Sequence, residues 1–290
     1  MSNFPRKQDN ASGSDFQSFI SAFYWKTGKA QDIGKRAEQQ DSIGIQLANS
    51  ENTNALLAVL ADGMGGMHDG AEFSRIAVET HMESFQSALN SYQKPENILL
   101  SLALQANSNA NRIYDEAEPG GTTLLSVLFL DKKQNESGHL LKKEVGIEQK
   151  EYSRFYFLSV GDSRIYLLRD KKLLQLNREH VLSAKLDERA WFGFISLEDA
   201  EGNMYRNSLT ACIGEDRIRT VDVSNSPTKF MSGDKLILMS DGIFRELSEA
   251  ELVGDLSFPP QEAAEKIVSH IKEKADPNQD NMSIIIIEKV

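Results

Sequence analysis

The chain has 290 residues, 40% of them hydrophobic and 26% charged, the balance of a soluble globular protein and not of a disordered or fibrous one. Its 43 acidic against 32 basic residues leave a net charge of −11, so no global attraction draws it to nucleic acid or to an anionic membrane. The single cysteine, Cys212, excludes an intrachain disulfide. With no apolar core at the N-terminus and no apolar run near the roughly 18 residues that cross a bilayer, the expectation is a cytoplasmic protein.

Residues 1–16 are polar and read as a loose tail ahead of one domain over 17–290. Strands are expected at Phe19–Trp25, Ser42–Leu47, Ala55–Ala61, Thr123–Leu130 and Phe155–Val160. Further ones are expected at Arg164–Arg169, Ile218–Val223, Lys235–Ser240 and Ser283–Val290. All are rich in β-branched or aromatic residues and bounded by Gly, Asp or Asn. Between the two middle strands, from Asp131 to Arg154, 11 of 24 residues are charged; this stretch reads as a long solvated hairpin connection.

Helical spacing appears after Asp69 (Val78, Met82, Phe85, Leu89), with Asp69 and Glu72 placed as a capping box. It appears again after Pro95 (Leu99, Leu102, Ala106, Ala110, Ile113), with proline suited to a first turn. A third helix follows Pro259–Pro260 (Ala264, Ile267, Val268, Ile271). Strand runs kept apart from helix runs predict an α+β fold with mostly antiparallel sheet.

The strongest chemical signal is a repeated grammar. An apolar strand ends in Asp62–Gly63, another in Asp162–Ser163, a third in Asp241–Gly242. Asp280–Asn281 stands just ahead of a fourth. Small neighbours let a ligand approach the backbone. Converging carboxylates repel one another, and hard divalent cations relieve the repulsion through oxygen ligands. Asp–Gly is also ordinary turn chemistry, but three copies on strongly apolar strands point beyond it. A cation pair about 3.5–4 Å apart suits phosphate chemistry. Arg36, ahead of Asp41, could fork onto two phosphate oxygens, although a lone arginine is more often a surface ion-pair residue.

Other chemistries lack their residues. A thiol phosphatase needs five residues between Cys and Arg; Cys212 and Arg217 have four between them, and Ile218 stands at the required place. There is no P-loop, no H-E-x-x-H and no G-x-S-x-G. Asp276, Asn278 and Asp280 imitate an EF-hand start, but Asn281 and Ile287 stand where Gly and Glu are needed.

Seven motifs in order resemble the metal-dependent protein phosphatase family, phosphatase 2C. They are GKRAEQQDS, VLADGMGG, GGTT (Gly120 to Thr123), SVGDSRIYLL, SLTACIG (Ser208 to Gly214), LILMSDGIF and QDNMSIIII, spread from about Phe19 to Val290. The resemblance implies a four-layer α-β-β-α sandwich of two mostly antiparallel sheets flanked by helices. It implies a dinuclear Mn²⁺ or Mg²⁺ centre in the cleft between the sheets. Asp62 would bridge both ions, the Gly63 carbonyl would bind one, and Asp241 and Asp280 would hold the other. Asp41 would orient metal-activated water, and Arg36 would hold the substrate phosphate. Asp162 matches the residue that, with Asp241, holds a third ion in bacterial-type members. Residues 183–207 correspond to the flap beside the site.

Two positions depart from the family pattern. Gln40 stands where Glu is usual and could act through a water. Met64 stands where animal-type members carry a histidine; methionine is characteristic of the bacterial branch. The resemblance then leaves protonation of the leaving group to metal-bound water, with His68 and His180 the histidines available as an alternative acid. The implied enzyme is a monomer hydrolysing phosphoserine and phosphothreonine on substrates of a Ser/Thr kinase, with no nucleic-acid or membrane partner. The alternative is a catalytically inactive, phosphatase-like regulatory or binding protein. Retention of Asp62, Asp241, Asp280, Arg36 and Asp41 favours the enzyme.

Overall fold

A computed structural model of the chain describes residues 25–50, 53–64, 69–92, 94–113, 120–132 and 153–289. The expected tail, His68 and most of the charged connection lie outside the described residues.

Among the described residues, eleven strands form two sheets. The first sheet has the order β1 (Trp25–Asp32), β11 (Met282–Lys289), β10 (Lys235–Met239), β6 (Arg164–Arg169), β7 (Lys172–Gln175). The second runs β2 (Asp41–Asn49), β3 (Thr53–Asp62), β4 (Leu124–Lys132), β5 (Ser153–Val160), β8 (Asp222–Val223), with β9 (Thr228–Phe230) also on β5. The pairings are antiparallel. Helices α1 (Gly70–Ser91) and α2 (Pro95–Ala110) cover the second sheet. Helices α6 (Glu249–Asp255) and α7 (Pro260–Lys274) cover the first. This is the expected four-layer sandwich.

The continuous apolar runs follow from this layering, because the central strands are buried on both faces. On β3, Leu57, Val59 and Ala61 face the helices with Phe73, Phe85, Leu99 and Leu102. The alternate residues Leu56, Ala58 and Leu60 meet Leu125, Val127, Leu236, Leu238 and Ile285 between the sheets. On β11, Ile284 and Ile286 turn instead to Ile267 and Ile271 of α7. Phe129 centres an aromatic group, with Trp25, Phe155 and Phe230 rings 5.1–5.5 Å away.

Several local expectations are corrected. Of the expected strand Phe19–Trp25, all but Trp25 lies outside the described residues; the strand Trp25–Asp32, through the polar WKTGKAQD, adds to those expected. It is an edge strand, held by its pairing with β11 more than by its own hydrophobicity. Of Ile218–Val223 only Asp222–Val223 is strand. Asp69 does not cap α1 through its side chain; it sits at φ 61°, and Glu72 pairs with Arg75 instead. The α2 helix ends at Ala110, and Asn111–Ile113 forms a 3₁₀ turn. Residues 182–201 hold two short helices, α3 (Leu182–Trp191) and α4 (Leu197–Glu201), too short and too polar to leave a clear period in the sequence.

Candidate active site

The site grows from strand ends. Asp62 is the last residue of β3 and lies opposite Asp41, the first of β2. The GGTT segment holds the Asp62 backbone: Thr122 Oγ1 and Thr123 N donate to its carbonyl, both at 2.9 Å, and its N–H donates to Thr123 Oγ1 at 3.0 Å. The Gly63 N–H donates to the Gln40 carbonyl at 3.0 Å. A Cβ on Gly63 would stand 2.3 Å from the Gly70 carbonyl oxygen, so only glycine lets these backbones meet.

Asp241 opens the one-turn helix α5 (Asp241–Phe244) directly after β10. The preceding Ser240 donates its hydroxyl to Asp41 Oδ2 at 2.9 Å. Asn281, next to Asp280, clamps the loop that carries Arg36: its Nδ2 donates to the Ile33 and Glu38 carbonyls and its Oδ1 accepts from Gln40 N at 2.8 Å. A Cβ on Gly242 would lie 2.1 Å from the Asn281 carbonyl oxygen, so the two late Asp motifs abut through backbone. Arg36 Nη2 reaches Asp280 Oδ2 at 2.6 Å.

The carboxylates disturb one another. Asp62 is held well above the usual carboxylate range, first by burial and then by the charges of Asp41, Asp241 and Asp162. Asp41 is pushed up to about 6 by burial, which the hydroxyls around it offset only in part. Its Oδ1 is buried without a hydrogen-bond partner. Asp162 is pushed up to about 6 by burial and by the charge of Asp241, with Arg245 opposing. Asp241 is raised by burial, again with Arg245 opposing, while Asp280 raises it further. The fold thus brings Asp41, Asp62, Asp162, Asp241 and Asp280 to one rim, at a cost in carboxylate repulsion.

Among the described residues, no three His, Cys, Asp or Glu side chains form a ready-made metal cage. Arginines already engage three of the carboxylates: Arg36 holds Asp280, and Arg245 reaches Asp241 at 3.1 Å and Asp162 at 3.6 Å. The donor set nevertheless fits hard divalent cations, being all oxygen, mutually repelling and left with an orphaned buried Asp41 oxygen.

His180 is buried, accepts the Gly161 N–H on Nδ1 at 3.1 Å, and has its pKa lowered by burial. Cys212 is buried with its thiol pushed up to about 12 by burial, in keeping with an inert core residue. Three supports escaped the sequence reading: Ser240, Asn281 and Arg245. Arg245 alone left a signal, its spacing of four from Asp241. A cavity of about 320 Å³ beside Asp162 and Arg245 is walled by Ser183 and Asn207 from the expected flap segment.

The protein phosphatase 2C family model matches residues 30–283. The serine/threonine phosphatase stp of Listeria monocytogenes serotype 4b is 26% identical over 264 residues, covering 89% of this chain and 93% of that protein. The serine/threonine protein phosphatase PstP of Mycobacterium tuberculosis is 26% identical over 258 residues, 85% of this chain and 43% of that longer protein. Among solved structures, the S. agalactiae serine/threonine phosphatase superposes with a TM-score of 0.69 at 22% identity, covering 92% of this chain and all of that one. The PPM Ser-Thr phosphatase MsPP of Mycobacterium smegmatis, in complex with cacodylate, gives 0.63 at 25% identity, over 91% of this chain and 98% of that one. With its family motifs carried on the sandwich and gathered at one rim, the chain belongs to the protein phosphatase 2C family.

Proposed function

We propose that this phosphatase hydrolyses phosphoserine and phosphothreonine in proteins at a two-cation centre on the strand-end carboxylates. The observation that carries the reading is the gathering of Asp41, Asp62, Asp162 and Asp241, each with its proton affinity raised by burial. The relatives named as serine/threonine phosphatases support the substrate class. A PstP catalytic domain solved in complex with 2 manganese ions, 22% identical with a TM-score of 0.60, supports the choice of cation.

Asp62, the Gly63 carbonyl, Asp241 and Asp280 would hold two Mn²⁺ or Mg²⁺ ions. Bound there, such ions lower the pKa of a water and offset phosphate charge. The remaining roles fall to the chain's own groups. Asp41, fixed by Ser240, accepts a hydrogen bond from the attacking water and sets its direction. Arg36, 47% exposed on its clamped loop, can leave Asp280 when that carboxylate takes up a cation. It then presents two N–H groups to the substrate phosphate. Gln40 would act through a water, and Asp162 stands to one side with Arg245.

The test is hydrolysis of a phosphothreonine peptide with and without Mn²⁺. Wild type should turn over only with the metal. Asp241→Asn should lose nearly all activity while folding normally, and its metal-free melting temperature should not fall below wild type, since the change removes a repelling charge. Full turnover in chelator, with metal removal verified, would sink the two-cation centre. Failure of wild type to turn over in saturating Mn²⁺ would leave a phosphatase-like binding protein.

A further inference from the structure

Arg245 stands between two of the rim carboxylates, Asp162 and Asp241. The backbone of Arg245 closes the single turn that begins at Asp241, its N–H donating to the Asp241 carbonyl at 3.1 Å. One of its guanidinium nitrogens, Nη2, lies 3.1 Å from Asp241 Oδ2 and 3.6 Å from Asp162 Oδ2. The same nitrogen therefore faces one oxygen of each carboxylate. The carboxylates are largely buried, with side-chain exposures of 17% and 11%, whereas the arginine is 53% exposed. Its outer part borders the 320 Å³ cavity next to Ser183 and Asn207. The neighbouring Phe244 is held from the other side by the Arg164 guanidinium, 3.8 Å from the ring centroid, so the turn that carries Arg245 is packed in place.

We propose that Arg245 is a built-in cation for the Asp162–Asp241 pair, standing in for a third metal ion, so that this chain takes two divalent ions and not three. The inference rests on the two-cation reading above. The reason is geometric and electrostatic. A divalent ion sharing these two oxygens needs each within about 2.0–2.6 Å. An ion so placed would lie no more than about 6 Å from Nη2, itself 3.1 Å from the Asp241 oxygen, and would be repelled by its positive charge. The guanidinium cannot give up its charge by losing a proton. To make room for an ion it must swing toward solvent or the cavity, which forfeits both carboxylate contacts.

Native mass spectrometry and calorimetric titration with Mn²⁺ test this without relying on turnover. Wild type should bind two ions per chain. Arg245→Ala and the bulkier Arg245→Gln should each bind a third, and adding Asp162→Asn to either should return the count to two. In chelator, Arg245→Gln should melt below wild type, and Asp162→Asn should restore the loss, because the cation's task is then gone. A wild type that binds three ions, or Arg245 variants that keep the count of two, overturn the inference while leaving the two-cation centre standing. A wild type that binds no Mn²⁺ overturns both.

Discussion

At the scale of single residues, the site is a set of charges kept apart by short, specific hydrogen bonds. Arg36 is partly solvated and pairs with Asp280, so its ion pair contributes little to stability. Its contribution is expected in binding. Arg36→Ala should lower kcat/KM by roughly ten- to a hundredfold, as befits loss of a forked phosphate contact, and leave the melting temperature nearly unchanged. Kinetics equal to wild type would make it a surface arginine. Gln40 has its backbone fixed at both ends, by Asn281 Oδ1 and the Gly63 N–H. Only its side chain is free to respond to the centre, and its Nε2 lies beside Gly70 at the start of α1. A negative charge there adds an oxygen ligand or a charged acceptor for bound water, next to a helix N-terminus that also favours it. Gln40→Glu should therefore tighten one Mn²⁺ site in calorimetry; superimposable isotherms for the two proteins would show that the neutral amide costs nothing.

At the scale of elements, the strand ends are positioned by layers that leave no slack. Gly28 lies on the edge strand β1, where a Cβ would stand 2.2–2.3 Å from the backbone of Pro260 and Gln261 at the start of α7. The helix is locked there by Gln261, whose amide bonds both the Lys29 N–H and carbonyl. Backbone cannot yield as a side-chain tip can. Gly28→Ala should cost about 1–3 kcal/mol or more as overpacking, read as a lowered denaturation midpoint with an unchanged slope. Because β1 lies two strands from β10 and Asp241, the turnover of the folded fraction should persist. A variant as stable as wild type would mean that α7 shifts freely on the sheet.

At the scale of the whole molecule, the gathered carboxylates make the metal-free protein sensitive to pH. Asp162 has its pKa pushed from 3.8 to about 6 on folding, by burial and by the charge of Asp241. The folded chain thus keeps a proton that the unfolded chain releases. That contribution is fully present below the unfolded value and is lost as pH rises through about 6. A rise of this size corresponds to on the order of 2–3 kcal/mol. In chelator, Asp162→Asn should gain stability relative to wild type as pH goes from about 4 to about 7.5. A gap that stays constant with pH, followed by calorimetry, would show that this carboxylate ionises in the folded chain as easily as in the unfolded one.

The sequence by itself determined the fold class, the layer order implied by its motifs and the identity of the rim carboxylates. The fold class is legible because burial on both faces writes itself as uninterrupted apolar runs, such as Ala55–Ala61 and Ile284–Ile287, and the carboxylates because Asp62 closes the first of these runs and Asp280 stands just ahead of the second; the layer order came through the family resemblance that the motifs carry. Tertiary structure alone decided the rest. The polar strand Trp25–Asp32 exists through its partner β11, and pairing energy leaves no mark on a strand's own composition. Asp69 looks like a helix cap, but its backbone is left-handed, and the side chain makes no capping bond. Most of all, Arg245 reads as one more surface charge until the fold carries Asp162, 83 residues earlier in the chain, to the same guanidinium. Local pattern encodes which faces are buried; which charges meet across two sheets is set by where the strands end in space.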